Sequence, residues 1–414
     1  MTPEPSAPID VPIAVVGGGL TGMAAALAFA RSGIRTALIL RGGAPPADLR
    51  TTALFPASVR LLRNLGVWPH CAGEAAALVA IRIVDDTDWL LRAPETVFHA
   101  TDLGEAALAW NISNVSLARS MDAELAKTDA VSQFITAATP GYSRNGNNLQ
   151  ITLAEGQTIT ARLAVAADGR QSPLRSYAGI AAKRKLLDQT AVVATFQHSR
   201  PHGNVSTEMH GNAGPLTTVP LPGDQSSLVW VERPREAARL LALPPQAFLD
   251  ALHARLHGLL GRLSGLTPRM SFDLLDLKTD AFAKGRIALV GEAAHVLPPI
   301  GAQGLNLGLR DVADLAEVVL AADRSGGDPG TGEILASYDR VRQRDNLLRT
   351  GTVSILNRSL VSGTFPLQLA RGLGLHVINA IPQLKRALMH QGAFGNGPLP
   401  RLMQEPDQQT LGPG

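Results

Sequence analysis

The chain has 414 residues, 45% of them hydrophobic, more than one ordinary core holds, so two domains or one domain with a large insertion are expected. Lys and Arg number 38 against 35 Asp and Glu, a net charge of +3 without the clustered basic runs that nucleic-acid binding requires, which excludes nucleic acid as an expected partner. The single cysteine, Cys71, rules out a disulfide framework within the chain, and no CxxC pair offers zinc or iron–sulfur ligands, so a reducing cytoplasm is the expected setting.

The first ten residues, MTPEPSAPID, carry prolines and acids where a signal peptide would carry a basic start and an apolar core, so a short disordered lead is expected. No apolar run approaches the roughly 18 residues of a spanning helix, and any membrane relation is therefore expected to be peripheral. Pro12 to Val16 reads as an apolar strand, Gly17 to Gly22 as GxGxxG, Met23 to Ser32 as a helix stopped by Gly33, and Thr36 to Leu40 as a second strand. That order is a βαβ unit, in which a right-handed crossover makes the strands parallel. Within it, Gly17 permits the turn, Gly19 lets the backbone approach a pyrophosphate, and Gly22 lets the helix pack on the strand.

Between Asn145 and Asp168 the pattern changes to hairpins around Asn145-Gly146 and Glu155-Gly156, an outer meander ending in the apolar strand Leu163 to Ala167. Asp168-Gly169 follows, with Ser172 and Arg175 at the spacing DGxxSxxR. Strand-like runs at Ala191 to Phe196, Leu216 to Pro220 and Leu228 to Val231, then a helical segment near 245–260, suggest a mainly antiparallel sheet. Ile287 to Val290 is a short apolar run suited to a doubly buried strand, and it opens the stretch GEAAHVLPPIGAQGLNLGLRD. A glycine-rich loop is expected from Gly301 through Gln303, Gly304 and Asn306, where backbone comes close to a ligand beside Pro298 and Pro299. Helical spacing follows from Asp311 to Ala322, and another helix is expected near Glu333.

The three motifs, in this order, resemble those of class A flavoprotein monooxygenases, the family typified by para-hydroxybenzoate hydroxylase. Arg50 to Leu54, Ser58 to Leu62, Leu65-Gly66-Val67-Trp68, Asn111 to Asn114, Pro220-Leu221-Pro222, Leu228-Val229-Trp230 and Leu384-Lys385-Arg386 are similar to the ubiquinone-biosynthesis hydroxylases within it, and the likeness spans nearly the whole chain. It implies an α/β fold: a Rossmann-like FAD-binding domain of GR2 type, with a parallel sheet plus meander, an inserted mainly antiparallel β-sheet substrate domain and a C-terminal helical segment. The expected division is an FAD-binding domain over 1–80, 101–185 and 276–330, substrate-domain strands over 81–100 and 186–275, and C-terminal helices over 331–414.

The resemblance also implies FAD as cofactor, NAD(P)H as cosubstrate, and dioxygen, with hydroxylation of an aromatic ring carrying an apolar tail. The cofactor would be held by Gly17, Gly19, Gly22, Arg50, Asn114, Asp168, Gly169, Glu292, Pro299, Gly301, Gln303, Gly304 and Asn306. Two positions depart from the family pattern. Arg41 stands where an acid would bind ribose hydroxyls, Asp48 being the nearest later acid, and Glu292 replaces the usual Asp of a Gly-Asp pair. Arg41 is either a 2′-phosphate contact or an exposed loop arginine.

His295 is a weak candidate for proton transfer, the plainer reading being a histidine hydrogen-bonded beside the cofactor. His198, His202 and His210 lack a carboxylate constellation, so no metal site is expected. Trp89, Phe196 and Trp230 read as sheet core. The stretch 351–389, apolar with scattered bases, suggests either contact with the inner face of a membrane or a ubiquinone-biosynthesis protein complex, or ordinary packing on the flavin domain. Two other functional classes remain at this stage: a flavin hydroxylase or epoxidase of another small substrate, and a non-catalytic assembly subunit on the same fold.

Overall fold

The structure, a computed structural model, describes residues 7–43, 48–87, 92–299, 302–345, 381–395 and 397–405. Its first sheet is built on the strand Ile9–Val16, whose Ile13, Ala14 and Val15 are fully buried. A strand with no wet face needs neighbours on both edges, and it pairs in parallel with Thr36–Arg41 and with Thr158–Ala166. Val131–Thr136 continues the sheet beyond Thr36–Arg41. The far edge of Thr158–Ala166 is shared: its first half pairs antiparallel with Asn148–Thr152, its second half in parallel with Ile287–Leu289. At the hairpin turns, Gly146 and Gly156 have φ of +58° and +90°, left-handed backbone that favours glycine. One further strand, Gly141–Asn145, pairs on the outside of this meander.

The second sheet runs in the order Met270–Thr279, Ala182–His198, Gln225–Glu232, Pro215–Leu221, Val205–His210, Ala80–Asp85 and Thr96–His99. All its neighbours are antiparallel except Val205–His210 and Ala80–Asp85, which run in parallel. Side chains alternate between its faces. Phe196, Leu216 and Trp230 point to the helices Pro234–Ala242 and Pro245–Arg255, where Trp230 and Phe248 meet at 5.9 Å between ring centroids. Val193, Val219 and Val229 point the other way, into a cavity. Phe196 and Trp230 are thus sheet core, while Trp89 lies outside the described residues.

A small third sheet, Thr51–Leu54, Ala109–Ser113 and Ala76–Leu78, joins the two large ones. Its buried Asn111 donates from Nδ2 to the Pro220 carbonyl (2.9 Å), and Thr51 Oγ1 donates to Ser227 Oγ (2.8 Å).

The glycine-rich stretch differs from the loop expected from Gly301 through Asn306. Helix Gln303–Arg324 starts at Gln303, directly after Ala302, which takes a left-handed backbone at φ +52°. Tertiary packing overrides the poor helix propensity of Gly304 and Gly308. A Cβ on Gly308 would sit 2.8 Å from Thr21 Oγ1 and 3.2 Å from the Gly291 Cα, so only glycine lets this helix lie against helix Leu20–Ala30. Residues 332–345 form the next helix, and Pro382–Phe394 another. Among the described residues no helix is long and apolar enough to cross a membrane.

Gly22 has the least room of all, because a Cβ there would overlap the Gly17 carbonyl oxygen. Gly22→Ala is expected to cost at least about 1–3 kcal/mol through overpacking. Thermal unfolding read by circular dichroism should show a Tm several degrees lower, and an unchanged Tm would contradict this packing.

Candidate functional site

A cavity of about 1390 Å³ lies between the two large sheets. Single-ligand pockets run to about 1,000 Å³, so this one has room for two occupants. Its two ends differ in chemistry. One is walled by backbone and polar groups: Gly18 and Gly19 before helix Leu20–Ala30, Arg50, Asn114, Gly169, Glu292, and Pro299 with Gln303 and Gly304. The other is walled by aliphatic and aromatic side chains of the second sheet, among them Ile81, Phe98, Val193 and Met270.

The fold therefore assembles, from five separate stretches, eight of the thirteen positions expected to hold a cofactor. Gly19 has open space where a Cβ would project, and the helix it precedes has no side-chain cap. Helix Gln303–Arg324 likewise starts uncapped, beside Gly304, which also faces open space. Two helix N-termini without side-chain caps thus turn their positive dipole ends to one cavity. Gly17 and Gly22 stand behind this wall and serve packing instead. Asn306 is also behind it: its Oδ1 accepts from the Phe55 amide (2.9 Å) and its Nδ2 donates to the carbonyls of Ala53 (2.8 Å) and Ala302 (2.6 Å). It clamps the helix start to the third sheet. Gly301 lies outside the described residues.

Arg50 makes a two-point pair with Asp48, Nε to Oδ1 and a terminal nitrogen to Oδ2, both 2.7 Å, and its guanidinium lies 5.2 Å from the Phe272 ring centroid. Asn114 Nδ2 donates to Asp48 Oδ2 (2.9 Å) while its Oδ1 accepts from Thr52 (2.6 Å). Burial works to raise the Asp48 carboxyl, but the hydrogen bonds from Arg50 and Asn114 win and hold it below its ordinary value.

Asp168 lies two residues past the end of the strand Thr158–Ala166, before Gly169, and does not itself line the cavity. Its Oδ2 accepts from the Leu174 amide (3.2 Å), while Oδ1 is buried without a hydrogen-bond partner among the described residues. Burial raises this carboxyl above its ordinary value against the Ser172 and Leu174 hydrogen bonds. Arg175, the last residue of DGxxSxxR, donates to the carbonyls of Ala293 (2.7 Å) and Arg170 (3.1 Å), locking the second motif to the third. Glu292 is half exposed, 3.6 Å from Arg170 Nε, and lines the cavity.

His295 is buried and does not line the cavity. Its Nε2 is 2.7 Å from Asp311 Oδ2, which also accepts from the Gly291 amide (2.9 Å). Asp311 Oδ1 accepts from Arg342 Nε (2.6 Å), and Arg342 continues to Asp314 (3.0 Å) and Asp345 (2.8 Å). Asp311 thus holds the third motif's loop, its own helix and the helix at 332–345 in one charged core. His295 and Asp311 were legible as motif residues, but Arg342 was not. It belongs to no motif, and a buried arginine is ordinarily improbable.

A polar wall fed by glycine turns at strand ends and opening on an apolar chamber is the arrangement of a flavin-binding fold. Residues 10–345 match the family described as the FAD binding domain, and the chain belongs to that family as a class A flavoprotein monooxygenase, an FAD-dependent hydroxylase. It is 36% identical over 401 residues to the ubiquinone hydroxylase UbiL of Rhodospirillum rubrum, covering 95% of this chain and 92% of that one. It is 29% identical over 382 residues to the 3-demethoxyubiquinol 3-hydroxylase of Escherichia coli, covering 90% and 96%. Among solved structures, Pseudomonas aeruginosa PqsL in complex with 2-aminobenzoylacetate aligns with a TM-score of 0.76 at 20% identity, over 89% of this chain and 100% of that one. Klebsiella pneumoniae HpxO complexed with FAD and uric acid aligns with a TM-score of 0.70 at 18% identity, over 90% and 96%. At such identities these structures speak for the fold.

Removing the cation from the buried core should be severe: Arg342→Met is expected to cost about 3–5 kcal/mol by stranding Asp311 and Asp314. Urea unfolding measures it, and a loss under about 1 kcal/mol would show that the core tolerates unpaired carboxylates. His295 and Arg342 hold Asp311 below its ordinary value although burial works the other way. A depressed carboxyl stabilises above its unfolded pKa and loses that contribution as pH falls through the folded one. The stability gap between the parent and Asp311→Asn should therefore be full at pH 7 and shrink below about pH 4. A gap that grew on acidification would reverse the sign.

Proposed function

We propose that the protein hydroxylates the aromatic ring of a prenylated phenol or quinone precursor in ubiquinone biosynthesis, using FAD, NAD(P)H and dioxygen. The observation that carries this reading is the single cavity with a polar nucleotide wall at one end and an apolar chamber at the other. The near-complete alignment with two relatives named as hydroxylases of ubiquinone precursors supports the substrate class.

The residues present fit FAD. The open approach at Gly19 and two uncapped helix starts on one cavity are what a pyrophosphate and a flavin ring require. When bound, FAD accepts hydride from the pyridine nucleotide and activates dioxygen for transfer of one oxygen atom to the ring. The chain's own groups bind, orient and keep out water. Arg50, already poised by Asp48 and Asn114, supplies positive charge at the nucleotide. Glu292 reaches one methylene farther than an aspartate would and takes the place of the family's acid toward the ribityl and pyrophosphate region. The first turn of helix Gln303–Arg324 would hold the flavin ring, its N–H groups stabilising negative charge there. The aliphatic walls from the second sheet exclude water from the oxygen-transfer step.

No acid or base is needed from His295, whose partner is Asp311. Its substitution by Gln should lower stability while leaving the pH profile of kcat unchanged. A lost ionisation in that profile would return His295 to the chemistry.

The purified protein should be yellow and oxidise NAD(P)H faster when a prenylated phenol is added, with one atom of oxygen-18 from labelled dioxygen in the product. Colourless protein that takes up no FAD, or product without the label, would overturn the proposal. Arg50→Met should weaken FAD retention about tenfold or more, equivalent to about 1.4 kcal/mol. Retention within twofold of the parent would remove Arg50 from the nucleotide site.

A further inference from the structure

The apolar chamber has one wall that does not come from a sheet. Helix Pro382–Phe394 lays Leu388, Met389 and Ala393 along it, facing Phe98, Leu103 and Ile81. The spacings 384, 388 and 392, and 389 and 393, put these positions on one side of the helix. Gly392 also lines the cavity and has open space where a Cβ would be.

The helix is pinned at both ends. Lys385 donates to the Val97 carbonyl (2.6 Å), lies 3.4 Å from Asp102 Oδ2, and sits 5.4 Å from the Phe98 ring centroid. At the other end Arg310 donates to the carbonyls of Phe394 (3.2 Å) and Pro398 (2.8 Å), and Arg60 lies 5.3 Å from the Phe394 ring centroid. A helix held this firmly nevertheless leaves large apolar side chains uncovered. Met389 is 9% exposed, Leu388 is 38%, Leu384 is 37% and Ile381 is 44%. The apolar stripe thus runs without a break from inside the cavity to solvent, while Lys385 and Asp102 flank it with charge.

We propose that this helix forms the subsite for the hydrocarbon tail of the substrate, with Leu388 and Met389 setting which tails fit and Leu384 marking the way out for a longer one. The inference rests on the prenylated-phenol reading above and names the residues that would read the prenyl group. A membrane or a partner protein covering the same stripe is the competing occupant, and chain-length dependence separates them, because only a substrate tail ties binding at Leu384 to the length of the ligand.

The test uses the FAD-loaded full chain and three probes: a phenol without a tail, the same phenol with one isoprene unit, and the same phenol with a long polyprenyl chain. Binding is followed by the change in flavin fluorescence, and retained FAD shows that each variant is folded. Met389→Trp should weaken the long-tailed phenol about tenfold or more and the tail-less phenol less than about twofold. Leu388→Asp, at an exposed position that folding tolerates, should show the same selectivity. Leu384→Glu should weaken the long-tailed phenol alone, about fivefold, and leave the single-isoprene phenol unchanged. Equal weakening of all three probes by Met389→Trp and Leu388→Asp, or indifference of the long-tailed phenol to Leu384→Glu, would overturn the subsite. Tail-selective binding without any product would remove the hydroxylase reading and leave the subsite standing. Turnover without tail preference would do the opposite.

Discussion

Two helices must begin side by side at the carboxyl end of one parallel sheet, and everything in the site depends on how closely they approach. The contact is made of missing side chains. Gly22 rests on the Gly17 carbonyl, Gly17 on Ala167, and Gly308 on Thr21 and Gly291, each in a space where a Cβ would collide. Backbones that meet this tightly bring the N-termini of helices Leu20–Ala30 and Gln303–Arg324 to the same cavity, at the place in an open α/β sheet where ligands bind. Glycine pays in chain entropy for this approach, and the loss is offset by the buried aliphatic cluster around Ile13, Val15, Leu38 and Leu163.

The second helix start is strained as well as close, with Ala302 left-handed at φ +52°. Its neighbours determine that geometry. Asn306 binds the Ala302 and Ala53 carbonyls on one side, and Asp311 binds Gly291, His295 and Arg342 a turn and a half farther on. Three motifs that look independent in the sequence are therefore one mechanical unit. Arg175 of the second motif holds the Ala293 carbonyl of the third, and the third packs on Thr21 of the first. Burying this many charges does not by itself make the protein stable. Its use lies in fixing the wall of the site to within hydrogen-bond tolerance.

The substrate side is built by a different rule. Each strand of the large antiparallel sheet sends alternate residues to opposite faces, so one sequence of Val192-Val193 or Val229-Trp230 supplies both a core packed on helices and a chamber wall. The small third sheet carries Arg50 and Asn114 at its ends and is stitched to the large sheet by Asn111 and Thr51. The nucleotide end and the substrate end are thus coupled by buried side-chain hydrogen bonds, not by packing alone.

The sequence by itself determined the βαβ start, the meander, the doubly buried strand at Ile287 and the family, because alternation, apolar runs and glycine at sharp turns are local physics. It also marked Gly19, Arg50, Asn114, Gly169, Glu292 and Gln303 as neighbours through their resemblance to known motifs, which no short-range rule could have joined. Other matters were decided only in three dimensions. Helix Gln303–Arg324 begins inside the stretch expected as a loop because tertiary contact with Thr21 and Gly291 rewards glycine where propensity does not. Asn306 and His295 turn out to clamp the wall from behind, since the same side chains could face a ligand or a carbonyl until their neighbours are placed. Arg342 gains its meaning from Asp311, Asp314 and Asp345, and Leu388 and Met389 from a chamber whose other walls lie far earlier in the chain, as far back as Ile81. A sequence specifies which side chains are available, and only packing decides which of them share a surface.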